Sequence, residues 1–211
     1  MSHGVHAVQH EAEHQIQHES GHGHGEEKHG LDGRNKKIAL LIAVIALFLA
    51  FSETLGKGAQ TAALSYNVEA SNLWAFFQAK TIRMTTLLTA ADTRKIDLAA
   101  VTDPAIKDTM TKQIETWQKT AARYNDEPET NEGRQQLAAR AKEAEKKRDN
   151  ALAKYHHYEM ASAAFQIGIV LASATVITGI MALSGLAIAL AITGIGFMGI
   201  ALFAPHAVHL L

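Results

Sequence analysis

After Glu159 the chain carries no Asp, Glu, Lys or Arg through Leu211, a run of 52 residues. As one helix this run would be about 78 Å long at about 1.5 Å per residue. The hydrocarbon core of a bilayer is about 30 Å thick, so one crossing takes about 20 residues. The run is too long for a single span and long enough for two. A soluble core helix keeps a polar face, and this stretch has none. A membrane hairpin is expected, with spans at about 161–183 and 186–204, a turn at Ser184-Gly185, and Pro205 ending the second span.

Whole-chain averages conceal this. Over 211 residues, 20 Lys+Arg nearly balance 21 Asp+Glu, which argues against a strongly basic nucleic-acid binder. The absence of Cys removes disulfide scaffolds, Cys-ligated zinc, iron–sulfur clusters and thiol catalysis. By zone, residues 1–37 form a polar head with eight of the twelve His. Residues 38–56 are apolar apart from Ser52, Glu53 and Thr54. Residues 57–160 hold 16 Lys+Arg and 14 Asp+Glu, and residues 161–211 are the hairpin. The first apolar run, extended from Ile38 to Leu55, reaches about 27 Å. That is enough to cross with slight local thinning. The 37-residue polar stretch ahead of it is too long for a signal-peptide n-region, so an uncleaved anchor is expected.

The middle zone reads as helices. Tyr66, Ala70, Leu73, Phe77, Met84, Leu87 and Ala91 follow steps of three and four, with Lys80 in the one missing place of that seam. Asp103-Pro104 is a helix start, a capping Asp followed by Pro at the first helical position. A second seam runs Ile106, Met110, Ile114, Trp117, Ala121, Tyr124 until Asp126-Glu127-Pro128-Glu129 breaks it. A third runs Leu137, Ala141, Ala144, Ala151, Leu152, Tyr155, Tyr158 and enters the next span without Gly or Pro. Each seam makes one adhesive face. No useful strand alternation appears. The expectation is an all-α integral membrane protein with three transmembrane helices and an extramembrane helical bundle or coiled coil between the first and second span.

The stretch Ser71-Asn72-Leu73-Trp74-Ala75-Phe76-Phe77-Gln78-Ala79-Lys80-Thr81-Ile82-Arg83 follows the first span. Tyr155-His156-His157 precedes a span opening Ala163-Ala164-Phe165-Gln166-Ile167-Gly168-Ile169. In this order the chain resembles the bacterial domain-of-unknown-function family 4337 over nearly its whole length. Trp74–Lys80 is the most specific part. The resemblance implies a three-span bacterial membrane protein and brings no activity with it.

Several clusters carry candidate chemistry. His6, His10, His14, His18 and His22 recur every four residues in the head; on a helix, neighbours at that spacing share a face. Imidazole suits zinc, nickel, copper or cobalt. The opposing reading is a flexible, compositionally biased tail. His10-Glu11-Ala12-Glu13-His14 matches the zinc-protease pattern, but no folded catalytic domain surrounds it to supply a third ligand. Trp74, Phe76, Phe77, Gln78 and Lys80 read as packing or subunit contacts, with the Lys80 stem over the aromatics and its charge reaching water. His156 and His157, with Tyr155 and Tyr158, read as an interfacial anchor. His206 and His209 are two candidate ligands, too few for a site. Gly168, Ala172, Thr175, Gly179, Ala187, Ala191, Gly194, Gly196 and Gly199 let helices approach closely, within the hairpin and between subunits. The last two spans hold no Asp, Glu, Lys or Arg, which argues against a proton-coupled carrier.

The expected function is a non-enzymatic, homo-oligomeric bacterial inner-membrane scaffold or assembly protein, requiring no cofactor, binding no nucleic acid, and contacting the lipid bilayer. The alternatives are a metal-handling membrane protein using the His head and an oligomeric channel. Arg34, Lys36 and Lys37 place the head in the cytoplasm, whereas Lys146, Lys147, Arg148 and Lys154 argue for a cytoplasmic middle zone. The first span usually dominates, so a cytoplasmic head is expected.

Overall fold

The computed structural model describes residues 25–207. They form four helices and, among the described residues, no strand: α1 (Gly25–Ala100), α2 (Pro104–Asn125), α3 (Arg134–Thr178) and α4 (Met181–Phe203). Three stretches, within α1, α3 and α4, are long and apolar enough to cross a membrane. Their large apolar side chains are widely exposed, including Leu40, Leu47, Val170, Ile177, Ile192 and Phe203. A water-soluble hairpin would have to bury them, whereas a multi-pass membrane protein presents such side chains to lipid.

The helix boundaries have local causes. Pro104 disfavours a helical Asp103, and Asp103 adopts an extended backbone while its carboxylate accepts from Ala105 N and Ile106 N. The expected helix start stands there. Asp126 closes α2, its N–H donating to Ala122 O at 3.0 Å, and the 126–133 connection follows. α3 then runs unbroken through Tyr158 into the apolar zone.

The hairpin turn is not at Ser184-Gly185. α3 ends at Thr178, Gly179 takes φ +73°, and Ile180 leads into α4. A left-handed residue just past a helix end is the usual place for Gly, and Gly179 N donates to Thr175 O at 2.9 Å there. Ser184 sits instead in the first turn of α4, its hydroxyl donating to Met181 O at 2.7 Å. A Ser-Gly pair alone does not end a helix when the preceding turn already reverses the chain.

The chain divides into two compact units. One takes the chain up to Ala50 with Ser162–Ile195; the other takes Phe51–Ala161 and the chain from Gly196 on. In the first, Ile38, Ala172 and Ala187 are buried together, with Leu41, Ile42 and Leu171 against them. Small residues set the helix spacing. A Cβ on Gly168 would stand 3.4 Å from Ala187 O, and one on Gly194 would stand 2.6 Å from the Phe165 ring. That ring is fully buried and stacks on Phe48 with centroids 6.0 Å apart.

In the second unit, α1 and α3 run antiparallel. Ser52 pairs with Tyr158, Asn67 with Arg148 and Trp74 with Glu145, so α3 numbers fall as α1 numbers rise. Ala70 and Leu73 pack on Leu137, Ala141 and Ala144, with Trp74, Phe76 and Phe77 alongside. From α2, Met110, Ile114 and Ala121 are buried, whereas Ile106 of the expected seam is exposed, as is Leu152 in α3. Both lie where their helix face turns away from a neighbour.

Replacing Gly194 by Ala forces a methyl group into the Phe165 ring, an overpacking cost of about 1–3 kcal/mol. A Cβ on Gly58 meets nothing within 4 Å, and Ala is the better helix former by about 1 kcal/mol. Thermal melts followed by circular dichroism in detergent are expected to show Gly194→Ala below the unmodified chain and Gly58→Ala at or above it.

Candidate functional site

Lys80 is the polar place in the α1 seam, and its environment differs from the expected one. The side chain is buried rather than extended into water. Its ammonium donates to Glu127 Oε2 at 3.1 Å, with side-chain exposures of 7 % and 16 %. It also lies 5.0 Å from the Tyr124 ring centroid and 5.5 Å from that of Phe76. The reason is the last turn of α2 and the connection after it, which bring Tyr124 and Glu127 over the position where a seam residue meets its neighbours. A cation removed from water needs a partner charge, and cation–π contact adds to it. Arg123 Nε approaches the other Glu127 oxygen at 3.5 Å.

Around this pair stand further cross-helix bonds. Trp74 Nε1 donates to Glu145 Oε1 at 2.9 Å, and its ring meets Phe77 edge-on at 5.5 Å. Arg134 donates from Nε to Thr81 Oγ1 at 2.8 Å and from a terminal nitrogen to Asn125 Oδ1 at 3.1 Å. Its guanidinium lies 4.9 Å from the Phe77 ring centroid. Thus Trp74, Phe77 and Lys80 come together, joined by Glu127 and Arg134. Those two escape a sequence reading because they lie in or beside the helix-breaking segment. The signal for Glu127 was Lys80 itself: a lysine in an apolar seam requires a carboxylate within reach.

A second cluster surrounds His157. Its ring is 1 % exposed, Nε2 donates to Pro205 O at 3.0 Å, and the ring stacks on Phe197 with centroids 6.2 Å apart. Nδ1 is buried without a partner. Tyr158 is buried too, its carbonyl accepting from Ser52 Oγ at 2.9 Å. Of the four residues of the expected interfacial anchor, Tyr155 and His156 are half-buried and lie near Glu159, while His157 and Tyr158 turn into the helix packing. Pro205 explains the first. It stops α4 and leaves its own carbonyl outside any helical ladder, available to the imidazole.

Next to Tyr158 lies an open groove between α1 and α3, about 430 Å³ in volume, whose wall includes Leu55, Ala59, Tyr66, Lys147, Lys154 and Tyr158. Lys147 is paired with Glu143 at 2.9 Å. Lys154 has no ion pair or hydrogen bond among the described residues.

The other expected positions divide. Gly168 and Gly194 lie at close helix contacts; Gly179 is the turn; at Gly196 and Gly199 no described residue of another helix stands within 4 Å of where a Cβ would be. His6, His10, His14, His18 and His22 lie outside the described residues, as does His209. Among the described residues no group of three or more His, Asp or Glu is placed to hold a metal ion.

The family model of DUF4337, described as "Domain of unknown function (DUF4337)", matches residues 34–204. The chain belongs to that family. No curated protein and no solved structure matches it.

The hydrogen bond from Lys80 holds the Glu127 carboxyl below its ordinary value of 4.5, with the Lys80 and Arg123 charges acting in the same direction. A carboxylate depressed on folding adds stability that is fully present above its unfolded value, about 4.5, and is lost as pH falls through the lower folded value. Unfolding midpoints measured across the acid range are expected to fall below about pH 4.5, less steeply in Glu127→Gln. At neutral pH Glu127→Gln should melt lower than Lys80→Met. The first strands a buried ammonium, whereas the second leaves Glu127 with Arg123 and puts an apolar side chain into an apolar seam.

Proposed function

We propose that this DUF4337 member is a non-enzymatic assembly protein of the bacterial inner membrane, held by three spans and associating with copies of itself through the outer face of α1. The observation that carries this reading is a strip on α1, on the side away from the Ala70–Leu73 seam. Val68, Ala75, Ile82, Thr89 and Ile96 recur every seven residues and all are exposed. Ile82 and Ile96 are 67 % and 75 % exposed. Asn72, Ala79, Thr86, Thr93 and Ala100 fill the intermediate places, so the strip advances in steps of four and three without a charged residue. The hydroxyls of Thr86 and Thr93 donate to the carbonyls of Ile82 and Thr89, which turns both back onto the helix.

A seven-residue repeat on a long helix is the pattern by which like helices pack along a common seam. In water such a strip gains by being covered. Lys80, Trp74, Arg134 and His157, the side chains with most chemical capacity, are engaged between helices, which supports a structural role over a catalytic one. In this reading the 57–160 segment stands outside the bilayer as a helical bundle, and the head faces the cytoplasm by the charge of Arg34, Lys36 and Lys37.

Light scattering of the chain purified in mild detergent is expected to return a protein mass that is a multiple of one chain. The double substitution Ile82→Glu with Ile96→Glu should reduce it to one chain with helix content unchanged. A wild-type monomer overturns the self-association.

A further inference from the structure

We propose that the groove between α1 and α3 seats the headgroup phosphate of an anionic phospholipid, with the Lys154 ammonium as its cation. The proposal rests on the reading of α1 and α3 as membrane-crossing helices. It goes beyond that reading by naming a ligand and a site.

The first argument is level. On α1 the groove begins at Thr54 and Leu55, the end of the apolar run that starts at Ile38. On α3 it ends at Tyr158, just before the uncharged stretch that starts at Met160. Both helices thus leave the apolar zone at the same end of the groove. Lys154 lies six residues from Met160, about 9 Å along α3 at about 1.5 Å per residue. A bilayer about 30 Å thick in its hydrocarbon becomes about 40–45 Å with its headgroups. Each headgroup layer is therefore about 5–8 Å deep, and the Lys154 backbone lies at its outer edge, where a long flexible side chain spans the difference.

The second argument is charge. Of the two lysines in the groove wall, Lys147 is paired with Glu143; beside the groove Arg148 is paired with Asp149 at 2.9 Å, and Lys146 is exposed and does not line it. Lys154 is half-buried in the groove wall and has no partner among the described residues. A half-buried lysine in the wall of an open groove can have its charge completed by an anion from outside. The third argument is the wall. Leu55, Ala59 and Ala62 give one apolar side, and Tyr66, Asn150 and Tyr158 add groups suited to a glycerol-phosphate. A ligand with an anionic head and an apolar body matches both, and at this level in a bilayer an anionic phospholipid is such a ligand. A basic residue near the surface attracts anionic lipid in any case; the groove makes the attraction local.

The test uses the full chain in dodecyl maltoside micelles doped with dioleoyl phosphatidylglycerol or with dioleoyl phosphatidylcholine. The readout is the difference in unfolding midpoint between the two lipids, so a variant with a changed baseline still reports. A ligand bound only by the folded state raises the midpoint. Phosphatidylglycerol is expected to raise it by about 3 °C or more over phosphatidylcholine. Lys154→Gln should lose most of that difference. Lys154→Arg should keep it, as should Lys107→Gln, which removes an exposed charge of the same sign from α2. Equal midpoints in the two lipids, or a Lys154→Gln variant that keeps the difference, overturns the proposal. A shift reproduced in full by inorganic phosphate at millimolar concentration overturns the lipid as its source. Recovery of the chain from the aqueous fraction without detergent sinks the membrane reading itself, whereas a detergent-extracted chain with no lipid preference sinks the groove alone.

Discussion

A peptide group in hydrocarbon has no water to bond, so each N–H and C=O must be satisfied within the protein. That constraint orders the rest of this structure. The apolar stretches of α1, α3 and α4 are helical because a helix satisfies its own backbone. In α1 and α3 the helix does not stop where the apolar residues stop. No Gly-Pro punctuation follows Phe51 or precedes Met160, and Gly56 and Gly58 stay within the helical run of α1. The positions of Ser52, Lys80 and Trp74 on α1, and of Arg134, Glu145 and Tyr158 on α3, then follow from two unbroken helices whose partners are set by antiparallel register.

The two units hold their helices together by different means, for a physical reason. Lipid tails are as apolar as Leu, so within a bilayer large apolar side chains gain little by leaving lipid for protein. Close backbone approach and shape must supply the attraction. The contacts of Gly168 with Ala187 and of Gly194 with Phe165 are of that kind. In the second unit, between Phe51 and Ala161, helices meet through apolar burial at Leu73 and Leu137, ring edges at Trp74 and Phe77, and the Lys80–Glu127 ion pair. A buried ion pair contributes little net stability against an apolar replacement. It does discriminate: Lys80 accepts only the arrangement in which the α2–α3 connection lies over α1.

Features that depend on spacing along one helix were legible in the sequence. The Ala70–Leu73–Ala91 seam, the Asp103-Pro104 start, the break after Asn125 and the existence of three apolar segments rest on local physics and stand in the structure, the bounds between the last two shifting to Thr178 and Met181. Features that depend on which segments meet were not. The hairpin turn fell on Gly179 because two Gly-containing sites competed for it, and only the backbone shows which takes a positive φ. Lys80 was read as a surface snorkel because the sequence holds its partner 47 residues away in a segment that reads as a loop. His157 was read as an interfacial side chain because nothing local announces the Pro205 carbonyl. The α1 strip is not legible in the sequence because Thr and Ala at its intermediate places weaken an apolar period that is clear only once the opposite face is known to be covered.

The strip and the groove make compatible demands on α1. At about 100° per residue, Tyr66, at the far end of the groove, and Val68, at the start of the strip, point about 160° apart. A second copy packed along Val68, Ile82 and Ile96 would therefore leave the Lys154 side of the helix pair open. The two lysines illustrate the same electrostatic rule in opposite settings. Lys80 is covered by Tyr124 and Phe76, and its counter-charge has to come from this chain because no solvent anion reaches it. Lys154 is only half-covered, and its counter-charge is left to the surroundings. In water that partner would be a transient ion; at a bilayer surface it would be one of many fixed phosphates. An unpaired lysine costs little in the first case and supplies an orienting attachment in the second, which gives its position one turn beyond Tyr158 a physical rationale independent of any reaction.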